Sequence, residues 1–295
     1  MYVRKLIGFC CVAALPAASA ALEPAPDPAR LVREVIYNEL HDHDTHGYWR
    51  YWVQRRSVQK IDVEDRVETL DGPIARLEST NGHPLNALAR QDEERRLDEL
   101  LNSPSEQAQH RKEYADDEHR IGRILALLPD AFLYESVQEE HRSELLPDCP
   151  CYHLRFRPNP GYPAHSIEAR IFHAMAGDLW ISAQGKRLVR LDGKLQENVD
   201  FGYGILGRLY KDGWFRLERT MAITGNGNAD WKTKRLEVHM NGRAMLFKTI
   251  ARETSEVRGG FVPVPSSLSL QQAAALIRQE TDTPALVAVS LAASH

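Results

Sequence analysis

The sequence lacks long apolar runs and contains little cysteine. The apolar stretches near its two ends, residues 6–15 and 285–293, hold ten residues or fewer, whereas a membrane-spanning helix needs about 20. Only 4 of the 295 residues are cysteine, too few for a small scaffold held together by disulfides. These absences argue against an integral membrane protein and favour a chain that folds around an apolar core.

Motifs of common catalytic centres are also missing. The chain has no phosphate-binding glycine loop, no nucleophile elbow, no His-Glu-x-x-His and no Cys-x-x-Cys. Its formal charge of −4 becomes −6 if residues 1–20, which contain Arg4 and Lys5 but no acid, are removed. An acidic balance argues against a nucleic-acid partner. We therefore predict a protein that is not an enzyme, carries no cofactor and binds no nucleic acid.

The first 20 residues have the features of an export signal. Arg4 and Lys5 precede the apolar run, and residues 18–20 are Ala-Ser-Ala, the small-x-small pattern after which signal peptidase cuts. We predict cleavage after Ala20 and a periplasmic location.

The four cysteines fall into two pairs. Cys10 and Cys11 lie within the predicted signal and raise the alternative of a lipoprotein, although Phe9 stands before Cys10 where a small residue is needed. Cys149 and Cys151 remain after cleavage. They form a strained bridge across one residue, stay as two thiols at the start of a strand, or act as a pair that binds metal or reacts in trans.

The stretch from residue 180 to residue 250 has the period-two pattern of half-buried strands. Apolar and charged residues alternate, Asp212-Gly213 is predicted to form a turn, and Asn241-Gly242 is suited to a tight hairpin. The pattern predicts an antiparallel meander, which must cover its apolar face by closing on itself or by receiving a helix. Further strands are predicted at residues 48–53, 59–70, 73–79, 132–142 and 151–157.

Helices are predicted to supply that cover. Asp27-Pro28 begins the first helix, whose apolar residues Leu31, Val32, Val35, Ile36 and Leu40 share one side. Another helix is predicted at residues 166–176. We predict one domain over residues 21–262, with a charged helical insert at about 84–128 that ends at a proline, followed by a C-terminal helix and tail at 263–295.

Residues 41–46, His-Asp-His-Asp-Thr-His, contain groups that bind zinc or nickel. They lie in a polar connection between a helix and a strand, so a solvated turn is the simpler interpretation and we predict no metal site. Glu197 and Asp200 are either a carboxylate pair for acid–base chemistry or solvated strand ends. A metal-dependent enzyme using residues 41–46 is kept as a third hypothesis.

Four segments together resemble an exported bacterial family. They are residues 155–163, 177–181, 199–207 and 245–249, and the chain resembles the LolA/LolB-like, or outer-membrane lipoprotein-sorting-like, family from about residue 30 to 260. The resemblance implies an α+β fold in which a curved antiparallel sheet forms an unclosed β-barrel with helices covering its concave side. It also implies a cavity for acyl chains and a gating arginine, for which Arg50 and Arg55 are candidates. The charged insert is foreign to the minimal carrier pattern.

We therefore predict a periplasmic carrier for an apolar ligand, a lipid or a lipoprotein acyl chain, with transient membrane contact. The alternative is an envelope scaffold with a filled barrel that binds another envelope protein through its charged insert. Nine apolar or aromatic residues on predicted strands are expected to line the cavity, with ordinary core packing as the other interpretation of each. They are Trp49, Tyr51, Trp180, Val189, Leu191, Phe215, Leu217, Leu236 and Val238.

Overall fold

The structure, a computed structural model, describes residues 26–41, 47–137, 150–201, 207–223, 229–244 and 248–279. Within these residues the helices are α1 (Pro28–Leu40), α2 (Ala87–Asn102), α3 (Pro104–Ala131), α4 (Ile167–His173) and α5 (Leu270–Arg278). The strands are β1 (Tyr48–Ser57), β2 (Ile61–Val67), β3 (Ile74–Thr80), β4 (His83–Pro84), β5 (Phe132–Ser136), β6 (Cys151–Pro158), β7 (Met175–Ser182), β8 (Leu188–Leu195), β9 (Val199–Phe201), β10 (Gly207–Leu209), β11 (Trp214–Ile223), β12 (Ala229–Ala244) and β13 (Lys248–Val264).

The strands form one antiparallel sheet. Their order is β4-β3-β2-β1-β13-β12-β11-β8-β7-β6-β5, with β10 joined to β12 and β9 to β10. Over the described residues the sheet has β4 and β5 at its two ends and is not closed into a barrel. The predicted α+β class and the antiparallel meander are confirmed.

The predicted turn and the predicted hairpin of the meander have different outcomes. Asp212, with a positive φ of 71°, lies in the turn before β11. Asn241 and Gly242 instead lie inside β12, which runs on to Ala244, so the hairpin prediction there is wrong. Gly242 serves a close approach, because a β-carbon there would lie 2.5 Å from the carbonyl oxygen of Arg208 on β10.

Helices cover both faces of the sheet, whereas the sequence predicts cover on one. Cross-strand pairing places Leu179, Leu191 and Leu217 in one row on the face that we call the inner face. α1, α4 and the C-terminal part of α3 pack there. The same row continues through β12, β13 and β1 to β2. Val67 and Ile74 therefore point from the outer face, where α2 and α5 pack on them.

The last helix begins as predicted. Ser269 and Gln272 form a capping box, in which each side chain binds the backbone N–H of the other residue. The apolar side of α5 is then buried through Ala273, Ala274 and Ile277. None of the helices in the described part of the chain is both long and apolar enough to cross a bilayer.

α2 protects one edge of the sheet. The Glu93 carboxylate accepts a hydrogen bond from the backbone N–H of Leu77 at 2.8 Å, and the Arg96 guanidinium donates to the carbonyl oxygen of Ala75 at 2.5 Å. Both backbone groups belong to β3, beyond its short pairing with β4. These contacts satisfy edge groups that would otherwise be open to another strand.

α3 connects the two ends of the sheet and shows that the sheet is curved. Its Tyr114 lies against Gly72 in the β2–β3 turn, and its last residue, Ala131, leads directly into β5. The helix between them is ~26 Å long at 1.5 Å per residue. Eight strand spacings separate β2 from β5, which is ~38 Å in a flat sheet. α3 also continues two residues past Pro129, which the sequence predicts as its end.

Candidate functional site

α1 forms one wall of the candidate site. The Asp27 carboxylate caps it by accepting a hydrogen bond from the backbone N–H of Arg30 at 3.1 Å, and Pro28 occupies the first turn. Four apolar side chains on one side of the helix are at most 6% exposed. They are Leu31, Val32, Val35 and Ile36, the side predicted from the sequence.

A cavity of about 30 Å³ lies between α1 and the inner face. Its walls come from α1, the ends of α3 and α4, and strands β5, β6, β7, β8 and β11. The lining residues are Val32, Val35, Ile36, Leu128, Phe132, Tyr134, Phe156, Phe172, Met175, Leu179, Leu188, Leu191 and Phe215. This composition is that of a site for an apolar group.

Tyr134 is the one lining residue with a polar side-chain group, and that group is satisfied. Its hydroxyl donates a hydrogen bond to the carbonyl oxygen of Leu128 at 2.7 Å. Burial, with a smaller contribution from the charge of Asp130, raises the pKa of Tyr134. The hydroxyl therefore stays protonated and the cavity wall carries no charge.

The C-terminal turn of α1 is fixed to the sheet by a buried carboxylate. The Glu39 side chain is only 7% exposed and pairs with the guanidinium groups of Arg187, at 3.1 Å, and Arg219. It also accepts a hydrogen bond from the backbone N–H of Leu188 at 3.0 Å. Two cations and one backbone donor thus surround a single carboxylate. This carboxylate lies at the edge of the cavity, because the Leu188 side chain lines the cavity.

The turn between β7 and β8 adds further contacts to α1. The Asn38 side-chain amide donates to the carbonyl oxygens of Gly185 and Lys186 at 3.3 and 3.1 Å. Both residues have positive φ, 76° and 47°, a conformation that the glycine adopts without strain. The turn therefore binds the end of α1 at two adjacent residues, Asn38 and Glu39.

Two glycines let aromatic rings approach the sheet closely beneath the cavity. Gly177 and Gly193 pair directly across β7 and β8. A β-carbon on Gly177 would overlap the carbonyl oxygen of Asp192 and approach the Phe156 ring, and one on Gly193 would overlap the Phe215 ring. Both rings line the cavity, so the absence of these two side chains determines its floor.

The structure brings only part of the predicted wall together. Leu191 and Phe215 line the cavity, and Leu217 packs against the same core. Leu236 and Val238 pair with Leu217 and Phe215 from β12, on the inner face but outside the cavity lining.

Four other predicted wall residues lie elsewhere. Trp49 and Tyr51 belong to a separate small core with Phe261. Trp180 points from the outer face, where its ring stacks on His153 at 4.6 Å. Val189 is fully buried at a bulge between β7 and β8 and does not line the cavity. These four residues therefore lie outside the lining of this cavity.

Sequence reasoning missed the three charged residues of the α1 attachment. Arg187 and Arg219 are separated from Glu39 by 148 and 180 residues, so no local spacing connects them. One local signal exists: Glu39 lies in the last turn of α1, where the helix dipole disfavours an anion. An acid in that position indicates a specific cationic partner elsewhere in the fold.

Beyond β12 the inner face also carries charged residues. Leu236 pairs with Glu256, whose carboxylate contacts Arg55 at 3.3 Å and Arg258 at 2.5 Å. Burial alone would raise the pKa of Glu256, but the nearby guanidinium groups of Arg258, Arg66 and Arg55 outweigh it and lower that pKa. The gating candidate Arg55 thus belongs to a charged network on the inner face, outside the cavity lining.

The outer face has a wider polar depression of about 330 Å³ near β5 and β7. Its charged groups are already paired: Arg157 lies 3.4 Å from Glu135, and Lys194 lies 2.9 Å from Asp212. Paired and well-hydrated charges provide little attraction for a further ion. This depression is a weaker candidate than the apolar cavity.

Several sequence predictions fall outside the described residues. These are the export signal, residues 42–46 of the histidine-rich segment, Cys149 and the tail from residue 280. Over the residues that are described, no three His, Cys, Asp or Glu side chains are placed to hold a metal ion. No protein-family model, curated protein or solved structure matches this chain.

Proposed function

We propose that this chain is a periplasmic carrier of the LolA type that binds an apolar ligand, a lipid or acyl chain, between α1 and the inner face of the sheet. The observation that carries the proposal is the cavity whose thirteen lining residues present no charged group. Each methylene transferred there from water contributes about 0.8 kcal/mol. The export-like N-terminus and the curved sheet support the proposal.

The closed cavity is too small for such a ligand, so α1 must move. A cavity of about 150 Å³ accommodates one benzene molecule, whereas this one measures about 30 Å³. The ligand therefore takes the space that the side chains of Val32, Val35 and Ile36 occupy in the closed state.

α1 is suited to such a movement. None of its described backbone–backbone hydrogen bonds joins it to a strand, and the Asn38 carbonyl oxygen accepts only a 3.5 Å hydrogen bond from the Arg187 side chain. A helix retains its own backbone hydrogen bonds when it moves as a unit. Displacement of α1 therefore exposes apolar surface, which the ligand covers again, and breaks no part of the strand ladder.

A neutral fluorescent probe tests this function. N-phenyl-1-naphthylamine is expected to increase its emission on binding to the wild-type protein. Replacing Leu191 by tryptophan fills the sheet side of the cavity and is expected to weaken binding about tenfold or more, since overpacking costs about 1 to 3 kcal/mol and 1.4 kcal/mol is a factor of ten.

The matched control is Leu217→Trp. Leu217 pairs directly with Leu191 on the next strand but does not line the cavity. We expect this variant to bind the probe within about threefold of wild type. No probe binding by the folded wild-type protein, or equal weakening in the two variants, would contradict the proposed site.

The small volume also favours the second candidate, an envelope scaffold with a filled interior. In that function α1 stays permanently on the sheet, and the exposed, charged surfaces of α2 and α3 bind a partner protein. Binding of the naphthylamine probe to the wild-type protein distinguishes the carrier from the scaffold, because a folded scaffold binds no probe.

A further inference from the structure

Glu39 occupies a binding site for a carboxylate. Two guanidinium groups and one backbone N–H converge on its oxygens: Arg187 at 3.1 and 3.4 Å, Arg219, and Leu188 at 3.0 Å. Charge-assisted hydrogen bonds of this kind are the strong ones, and arginine is preferred where a carboxylate is bound. The side chains of Glu39, Arg187 and Arg219 are 7%, 14% and 10% exposed, so the site is largely shielded from water.

The carboxylate site is continuous with the apolar cavity. Leu188 donates its backbone N–H to Glu39 and places its side chain in the cavity wall. On α1, the residues that line the cavity are Val32, Val35 and Ile36, and Glu39 follows them one turn later. α1 thus presents an apolar stripe that ends in a carboxylate, which is the chemical form of a fatty acid.

We propose that the ligand is a single-chain carboxylate and that α1 occupies its site in the closed protein. This inference rests on the proposed function and adds the ligand class. When α1 moves out, the acyl chain takes the place of the apolar stripe and the ligand carboxylate takes the place of Glu39. From Val32 to Glu39 the helix rises ~10 Å, which matches about eight methylenes of an extended chain, because C–C bonds near 1.5 Å at tetrahedral angles advance ~1.25 Å per carbon.

Charge balance favours this ligand over a neutral one. Exchange of Glu39 for a ligand carboxylate leaves the same charge beside Arg187 and Arg219. A neutral alcohol of equal length would remove the Glu39 charge and supply none. Because breaking a buried charge pair is far more costly than exchanging one partner for another of equal charge, binding is expected to discriminate between the two head groups.

Displacement of the bound naphthylamine probe by decanoate and by 1-decanol tests the inference. We expect decanoate to bind at least tenfold more tightly than 1-decanol in the wild-type protein. Replacing Arg219 by glutamine is expected to reduce that preference to about threefold or less, because it weakens decanoate binding more than 1-decanol binding.

Glu39→Gln provides a second and opposite test. Glutamine keeps the size of the side chain but removes its charge, so α1 competes less well and decanoate is expected to bind about tenfold more tightly. Glu34→Gln is the matched control, because Glu34 is exposed on the same helix; it is expected to bind decanoate as wild type does.

The outcomes separate this inference from the proposed function. Equal affinity for decanoate and 1-decanol, or unchanged decanoate affinity in folded Glu39→Gln, would overturn the carboxylate assignment while the apolar site stands. If the protein binds neither the probe nor decanoate nor 1-decanol, both the carboxylate assignment and the proposed function are overturned.

Discussion

Replacing Glu39 by lysine is expected to lower the free energy of unfolding by more than about 4 kcal/mol. The new ammonium group would lie beside the guanidinium groups of Arg187 and Arg219, in a site where the Glu39 side chain is 7% exposed. Three cations would then be held together with little water to screen them. Release of α1 relieves the repulsion but exposes Val32, Val35 and other apolar residues.

Chemical denaturation measures this effect, and Glu34→Lys is its control. The two substitutions make the same change of charge on the same helix, but Glu34 is exposed, so its substitution is expected to alter stability by about 0.5 kcal/mol or less. Equal denaturation midpoints for the two variants would show that the pairing of Glu39 does not hold α1 on the sheet.

Replacing Gly177 by alanine is expected to lower the free energy of unfolding by about 3 kcal/mol or more. The added methyl group would overlap the carbonyl oxygen of Asp192 and lie 2.9 Å from the Phe156 ring. A backbone oxygen inside a strand ladder cannot move aside as the end of a flexible side chain can. The strand pair must separate locally, and Phe156, which lines the cavity, must shift with it.

Gly161→Ala is the control for that substitution. Gly161 lies in an exposed loop, where a β-carbon would meet only the Asn159 side chain, at 3.4 Å. We expect a change of about 0.5 kcal/mol or less, measured by the same denaturation experiment. A Gly177→Ala protein as stable as Gly161→Ala would mean that β7 and β8 are not packed as closely as described.

Local patterns in the sequence predict the elements of this fold well. Alternation of apolar and charged residues identifies the strands of the meander, and Asp27-Pro28 and Ser269 mark the starts of α1 and α5. Each of these signals acts through hydrogen bonds or faces within a few residues of chain. These signals can therefore be recognised in the sequence without knowing which elements pack against each other in the fold.

The faces of the sheet are harder to predict. Leu179, Trp180 and Ile181 are three apolar residues in succession, so a period of two cannot say which of them points inward. The pairing of β7 with β6 and β8 determines which side chains point inward, and it places Trp180 on the outer face. Gly242 is similar: a glycine suited to a turn is used for close approach of β10, which only the tertiary arrangement shows.

The attachment of α1 through Glu39 depends on long-range contacts. Glu39, Arg187 and Arg219 come from a helix end, a strand turn and a central strand. No spacing in the sequence relates them, and the acid in the last turn of α1 is the one local signal. Only the tertiary fold brings Arg187 and Arg219 together and places Glu39 between them.

Hydrogen exchange of the backbone amides, with and without decanoate, tests most directly whether α1 occupies the ligand site. If it does, decanoate speeds exchange in α1, because the helix leaves the sheet, and slows exchange in β7 and β8, which the ligand covers. Binding of decanoate with unchanged or slower exchange in α1 would contradict the account, because the ligand would then bind without displacing the helix.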